Sequence, residues 1–323
     1  MSTAKARLKA GIRRATRWAR TPRPAILMYH RIGQETFDPW GLAVAPDRFA
    51  AQVDWLAANR TMLPLTEFAR QHQERRLAPD AIALTIDDGY ASALDAVPLL
   101  EKQGLNATVF LPVELIERGG EFWWDELSRI VLNCAADTLQ VDGVCHAVPR
   151  PHEQDRLWPP YGPPRTPRQK LFQSLWSMLH AMRPPSLDAA MAELRSQTAL
   201  IEPKAPDRPL SRQQVRSITC SAISFGSHGL THPSLPALSF DEKLREISES
   251  RTRCAALAGS APASFAYPFG DRDKVSVRLV EEAGYACACA TGDAFVSAQS
   301  ALFALPRFNV GNWEPERLHD MLG

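Results

Sequence analysis

"AIALTIDDGY", residues 81–90, runs from a mostly apolar hexapeptide into two adjacent carboxylates and a glycine. Six uncharged residues bounded by turn signals read as a strand buried on both faces, as in a parallel sheet covered by helices. The residues at its end pose a chemical problem. Neighbours on an extended segment point to opposite faces, and two like charges this close repel. One aspartate can cap the next helix. Asp87 and Asp88 together ask for a cation or a reaction.

The same alternation continues along the chain. "PAILMY" (24–29), "NATVFLPV" (106–113), "AISFGS" (222–227), "ASFAY" (263–267), "YACACA" (285–290) and "ALFALPRFNV" (301–310) read as strands. "PDRFAAQVDWLAA" (46–58) sets Phe49, Val53 and Leu56 at helical spacing behind Pro46, and "ASALDAVPLLEKQG" (91–104) is a helix closed by Gly104. Ser239 and Glu242 form a capping box, with Phe240, Leu244, Ile247, Cys254 and Leu257 expected on the inner face of the helix behind it. A further helix ends at Gly284. Strands alternating with helices imply an α/β fold with a parallel sheet, open or closed into a barrel.

Residues 119–217 break this rhythm. "EFWWDELSRIVLN" (121–133) and "RQKLFQSLWSMLHAM" (168–182) look helical, while "DRLWPPYGPPRTPR" (155–168) holds five prolines and must be irregular. The block reads as a mainly helical and irregular insertion at the mouth of a site. The expected organisation is a basic arm at 1–23 and an α/β body at 24–323 that carries the insertion.

The 323 residues, 45% apolar and 23% charged, describe a soluble globular protein of one large domain or two small ones. No apolar run reaches the ~18 residues of a membrane span. A formal charge of +1 hides an asymmetry: residues 1–23 hold eight basic residues and no acid, leaving 29 basic against 36 acidic in the remainder. The arm lacks the apolar segment of a secretory signal. A cytoplasmic location is therefore expected, at most peripheral at the inner membrane face. Leu8, Ile12, Ala15 and Ala19 share one helical face, so the arm can lie on an anionic membrane surface; a solvated basic arm is the plainer reading. The acidic body and the lack of a binding motif speak against nucleic acid. Six cysteines without CxxC spacing read as free thiols, and Cys287 and Cys289 as neighbours on one face of a buried strand rather than a metal site.

Polar residues gather where strands end. Asp87 and Asp88 follow "AIALTI", His228 and His232 in "SHGLTH" follow "AISF", Tyr267 and Pro268 follow "ASFA", and His30 ends the first strand. In parallel α/β folds that edge is where sites are built. Two histidines four apart and a carboxylate make an N2O donor set suited to Zn²⁺ or a similar divalent ion, with positions left for water. Such an ion also resolves the opening problem. One Asp becomes a ligand, and the other stays free as general base for a metal-bound water.

"TIDDG" (85–89), "SHGLTHPS" (227–234) and "FAYPFG" (265–270) resemble the first three motifs of the polysaccharide deacetylases, carbohydrate esterase family 4. The resemblance covers residues 24–118 and 218–310. It implies a distorted (β/α)7 barrel and a metal-dependent hydrolase that removes the acetyl group of an N-acetylated sugar or glycan. By the same resemblance Asp87 is the catalytic base, Asp88, His228 and His232 hold the metal, and the backbone N–H of Phe269 donates to the oxyanion, as amide hydrolysis requires. The chain also departs from the family. Ala266 stands where an arginine usually orients the base, and Arg307 in "LPRFNV" can reach that place from the last strand, a surface arginine being the alternative. The fourth motif is not recognisable. The late Leu-x-His motif has only "ERLHDML" as a match, with His319 on a terminal segment expected to fray. An early "MYH" segment, found in biofilm polysaccharide deacetylases, is similar to "LMYHRI" and makes His30 the general acid. Trp123 and Trp124 can stack on a sugar ring or anchor the insertion.

Two other readings are open. Ala266 suggests a carbohydrate-binding protein on a decayed deacetylase fold, against which both aspartates and both histidines are present. Two histidines and a carboxylate also serve non-haem Fe(II) oxygenases, whose usual all-β scaffolds do not match this alternation.

Overall fold

A computed structural model describes residues 21–34, 37–158, 162–198, 207–218 and 220–323. Most of the basic arm, residues 1–20, and with it the expected membrane-facing helix, lies outside the described residues. Seven parallel strands lie side by side in the order Cys287–Cys289, Ser264–Ala266, Ile223–Ser227, Ala107–Leu111, Ala81–Ile86, Ala25–Tyr29 and Phe308–Asn309. An eighth, Thr61–Met62, pairs with the start of Ala81–Ile86. The curl brings the two edges together: Phe308 pairs with Leu27, and Leu305, on the same segment, bridges to Cys289 on the far edge. The result is the expected distorted parallel barrel wrapped by helices.

Strand alternation sorts the side chains into two sets. Ile82, Leu84 and Ile86 join Leu27, Tyr29, Val109 and Leu111 in a core beneath the outer helices. Ala81 and Ala83 join Ile26, Phe110, Ala266, Cys287, Cys289 and Leu305 in the barrel interior. Cys287 and Cys289 are thus buried free thiols on one face, as their spacing implies. Small interior residues make room for large ones. A Cβ added at Gly226 would stand 2.4 Å from the Phe110 ring.

Most elements fall where the sequence places them, with instructive exceptions. The segment 91–104 starts as a 3-10 turn, Ala91–Ala96, and becomes α-helical at Val97–Gln103. "ALFALPRFNV" is not one strand. Pro306 has no N–H to donate to a ladder, and only Phe308–Asn309 is strand, behind the 3-10 turn Leu302–Ala304. On the helix Phe240–Ala258 the capping box forms, but Phe240 and Leu244 point outward, 48% and 41% exposed. Lys243, Glu246 and Ser250 take inner positions instead, because each finds a partner there: Asp273, the 230–231 backbone and Ser227 respectively. The terminal helix Pro315–Leu322 is not frayed, since Leu318 and Leu322 are buried in the outer core.

Within 119–217 the structure has the helices Trp123–Asn133, Pro167–His180, Pro184–Ser196 and Arg212–Ser217, and an antiparallel hairpin, Thr138–Val141 with Val144–Ala147, that the sequence reading missed. Trp123, Leu127, Val131, Leu139, Phe172, Leu175 and Leu194 form a separate apolar cluster there. Arg168 is buried within it and donates to the backbone oxygens of Val131, Cys134 and Pro149.

Gly226→Ala should lower unfolding stability by about 1–3 kcal/mol, the cost of forcing extra volume into a packed interior. Chemical denaturation measures it, and an unchanged midpoint would mean that Phe110 is not wedged as described.

Candidate active site

Thr85 and Asp87 continue the interior-facing parity of Ala81 and Ala83. Asp87 is still bound into the sheet, donating its N–H to Tyr29 O at 2.8 Å. At Asp88 the chain turns left-handed, with φ +67°, and Gly89 follows at φ +63°. The turn breaks the alternation that would point Asp88 away, so both carboxylates face one cavity of about 270 Å³. His232 and Phe269, on the rim, also have positive φ, 58° and 57°. Non-glycine residues held there cost of order 1–3 kcal/mol each and concentrate at functional sites.

The two carboxylates have different partners. Asp87 is gripped by Arg307, whose Nη1 and Nη2 donate to its two oxygens at 2.6 and 2.7 Å. Arg307 is fully buried, and it also donates to Thr85 Oγ1 and Ala290 O. Burial works to raise the Asp87 pKa, but the charges of Arg307 and His228 win and hold it below the usual carboxylate range. Arg307 is therefore no surface residue: its guanidinium lies 5.5 Å from the ring of Phe110, which belongs to the same interior cluster as Ala266.

Asp88 faces the histidines instead. Its Oδ1 is 3.2 Å from His232 Nε2 and 3.4 Å from His228 Nε2, and the two Nε2 atoms are 3.2 Å apart. His228 Nδ1 donates to Ala266 O at 2.7 Å. A carbonyl only accepts, so Nδ1 carries the proton and the Nε2 lone pair points at Asp88 and His232. The ligand atoms of Asp88, His228 and His232 all lie within 4.8 Å of one another, and all three residues are buried. Two imidazoles and a carboxylate converging with so few protons between them suit a divalent cation. Burial opposes charge on Asp88, yet the two histidines beside it hold its pKa well below the usual range.

His30 lines the same cavity, and its Nδ1 is buried without a hydrogen-bond partner among the described residues. Burial lowers its pKa, against the pull of Asp88 and Asp87. Phe269 stands at the rim, its ring 4.5 Å edge-on to His232. The tryptophan pair divides: Trp124 faces the cavity 4.8 Å from His232, whereas Trp123 packs inward against Trp124 and Trp176. Trp124 is fixed by its Nε1–H to Tyr90 Oη at 2.8 Å, and Tyr90 donates to Asp125, which also pairs with Arg31. Trp40 and Trp176, not singled out in the sequence, complete the aromatic wall. His319 lies elsewhere, on the terminal helix against Trp55.

Comparison with known proteins agrees with this geometry. A family model described as polysaccharide deacetylase matches residues 192–288, which include His228, His232 and Phe269. YxkH of Bacillus subtilis, a protein assigned to the polysaccharide deacetylases, is 34% identical over 100 residues, 29% of this chain. The match spans 34% of that relative's length. Among solved structures, the deacetylase PplD of Streptococcus pyogenes in complex with acetate superposes with a TM-score of 0.60 at 18% identity, covering 94% of this chain and all of PplD. IcaB of Ammonifex degensii gives 0.57 at 13% identity, covering 93% and 97%. These identities show a shared fold. The resemblance to the polysaccharide deacetylases seen in the sequence motifs is borne out.

Arg307→Met leaves the Asp87 carboxylate buried without its cation, which should cost about 3–5 kcal/mol of stability. Adding Asp87→Asn should recover part of that loss. Denaturant titration of both variants checks the pair, and a loss under about 1 kcal/mol for Arg307→Met would show that the bidentate contact does not form.

Proposed function

We propose that this chain, with the polysaccharide deacetylase signature on the polysaccharide deacetylase fold, is a metal-dependent hydrolase that removes the acetyl group of an N-acetylated sugar or glycan. One observation carries the reading: two adjacent aspartates in one cavity, one locked to a buried arginine and the other facing two histidines. The arrangement separates a base from a ligand. Asp88, His228 and His232 would hold a divalent ion, with Zn²⁺ suited to the donor set, and that ion would supply Lewis acidity towards an acetamide carbonyl and a neighbouring water.

The remaining chemistry belongs to the chain. Arg307 keeps Asp87 ionised and fixes its plane, so one oxygen is presented to the attacking water and takes its proton. The Phe269 backbone N–H is assigned the oxyanion of the tetrahedral intermediate. Collapse of that intermediate expels an amine, which needs a proton, and His30, at the end of the neighbouring strand Ala25–Tyr29, is assigned its delivery. Trp40, Trp124 and Trp176 offer rings to the apolar face of a pyranose. Trp124 and Trp176 both come from residues 119–217, so the insertion is assigned the shaping of the mouth and the choice of sugar.

Acetate release from N-acetylated oligosaccharides, with metal analysis of the same samples, tests the division of labour. Asp87→Asn should retain the metal and lose about 10²–10⁴-fold in turnover, while Asp88→Asn should lose the metal. Equal metal loss in both variants contradicts it. Separately, His30→Ala should lower kcat with metal content unchanged and His319→Ala should leave both alone. Activity that survives His30→Ala but not His319→Ala would reverse the assignment of the acid.

A further inference from the structure

The loop that carries both histidines, residues 228–232, is short, strained and held from two sides. His228 donates its N–H to Leu111 O at 2.9 Å. Gly229 O and Leu230 O accept from the N–H groups of Val113 and Glu114, at 3.1 and 2.9 Å. On the other side stands Glu246, on the helix Phe240–Ala258, only 6% exposed. Its Oε2 accepts from the N–H of Leu230 at 2.7 Å and of Thr231 at 3.2 Å, and its Oε1 accepts from Thr231 Oγ1 at 2.7 Å. A Cβ added at Gly229 would stand 3.0 Å from that same Oε2, so the glycine lets the carboxylate close on the loop.

Burying a carboxylate costs several kcal/mol unless its oxygens are satisfied, and an apolar residue would serve the helix packing better. Here all three donors come from two consecutive residues directly ahead of His232, which sits at φ +58°. Left-handed backbone at a non-glycine residue persists only where the surroundings over-determine it. We propose that Glu246 is the positioning residue of the metal centre: it locks Leu230 and Thr231 so that His232 Nε2 is aimed at Asp88 and His228. Glu246 is not among the residues that line the cavity and acts through the loop. The inference rests on the metal reading above, and it adds the group that makes the histidine pair rigid.

Titration of the metal-free full chain with Zn²⁺, by calorimetry and by the Zn²⁺-induced rise in Tm, tests it. Glu246→Ala should weaken Zn²⁺ by about 10–100-fold, the usual penalty for losing the support of a ligand. Glu246→Gln keeps an oxygen for both N–H groups and should recover most of that affinity. Glu246→Asp, one methylene short, should not. Glu249→Ala, exposed on the same helix, should bind like wild type. A purely structural role would lower Tm in Glu246→Ala yet leave Zn²⁺ affinity and the Zn²⁺-induced shift unchanged, which overturns the proposal. Should the alanine variant fail to fold, wild-type affinity in both Glu246→Asp and Thr231→Val overturns it equally. Wild-type protein that takes up no Zn²⁺ would instead overturn the metal reading itself, and this inference with it.

Discussion

The buried pair of Asp87 and Arg307 is the constraint on which the site depends. Two charges with almost no solvent contact are tolerable only with both oxygens and every guanidinium direction satisfied. Here the satisfying groups come from separate parts of the chain: Thr85 from the same strand, Ala290 beyond the strand Cys287–Cys289, and Arg307 itself from the segment where the two edges of the sheet meet. The segment that joins the two edges of the sheet also carries the cation that pairs with Asp87. In the interior beside the pair, the ring of Phe110 lies 5.5 Å from the Arg307 guanidinium.

From that pair outward, the geometry follows from parity and its interruption. Interior-facing positions on adjacent strands deliver His30, Thr85, Asp87, His228 and Arg307 towards one end of the barrel. Strict alternation would send Asp88 to the outer face, beneath the helices. The left-handed turn at Asp88 prevents this, and the matching turns at His232 and Phe269 bring the opposite wall inward. Three of the six non-glycine residues with positive φ among the described residues thus stand at the site. The cost of that backbone is met by contacts behind them, such as the Glu246 clamp and the bond from His228 Nδ1 to Ala266 O.

Much of this was legible in the sequence because it is written in local pattern. Apolar hexapeptides ending in polar residues announce strands and a site at their carboxyl ends, and the spacing of His228 and His232 announces a donor pair. Other features are not local. Nothing near Arg307 in "LPRFNV" says that it points inward; that depends on Leu305 and Phe308 joining the two edges of the sheet. The orientation of His228 by Ala266 O is a backbone contact that no side-chain motif can encode. Trp40 and Trp176 are brought to the wall by the packing of the insertion. Glu246 left one trace, a charge beside Ile247 on the inner stripe of a helix. An apolar pattern assigns that stripe to Phe240 and Leu244 and misses the polar residues that are buried because they are bonded.

The central claim is that the adjacent aspartates divide the work, Asp88 holding the ion and Asp87 standing free beside it. Anomalous diffraction at the zinc edge from Zn²⁺-loaded crystals tests this most directly. The account predicts a single strong peak at about 2.0–2.2 Å from Asp88, His228 Nε2 and His232 Nε2, with Asp87 still paired to Arg307. A peak ligated by Asp87, with Arg307 displaced, or no peak between the histidines, would contradict it.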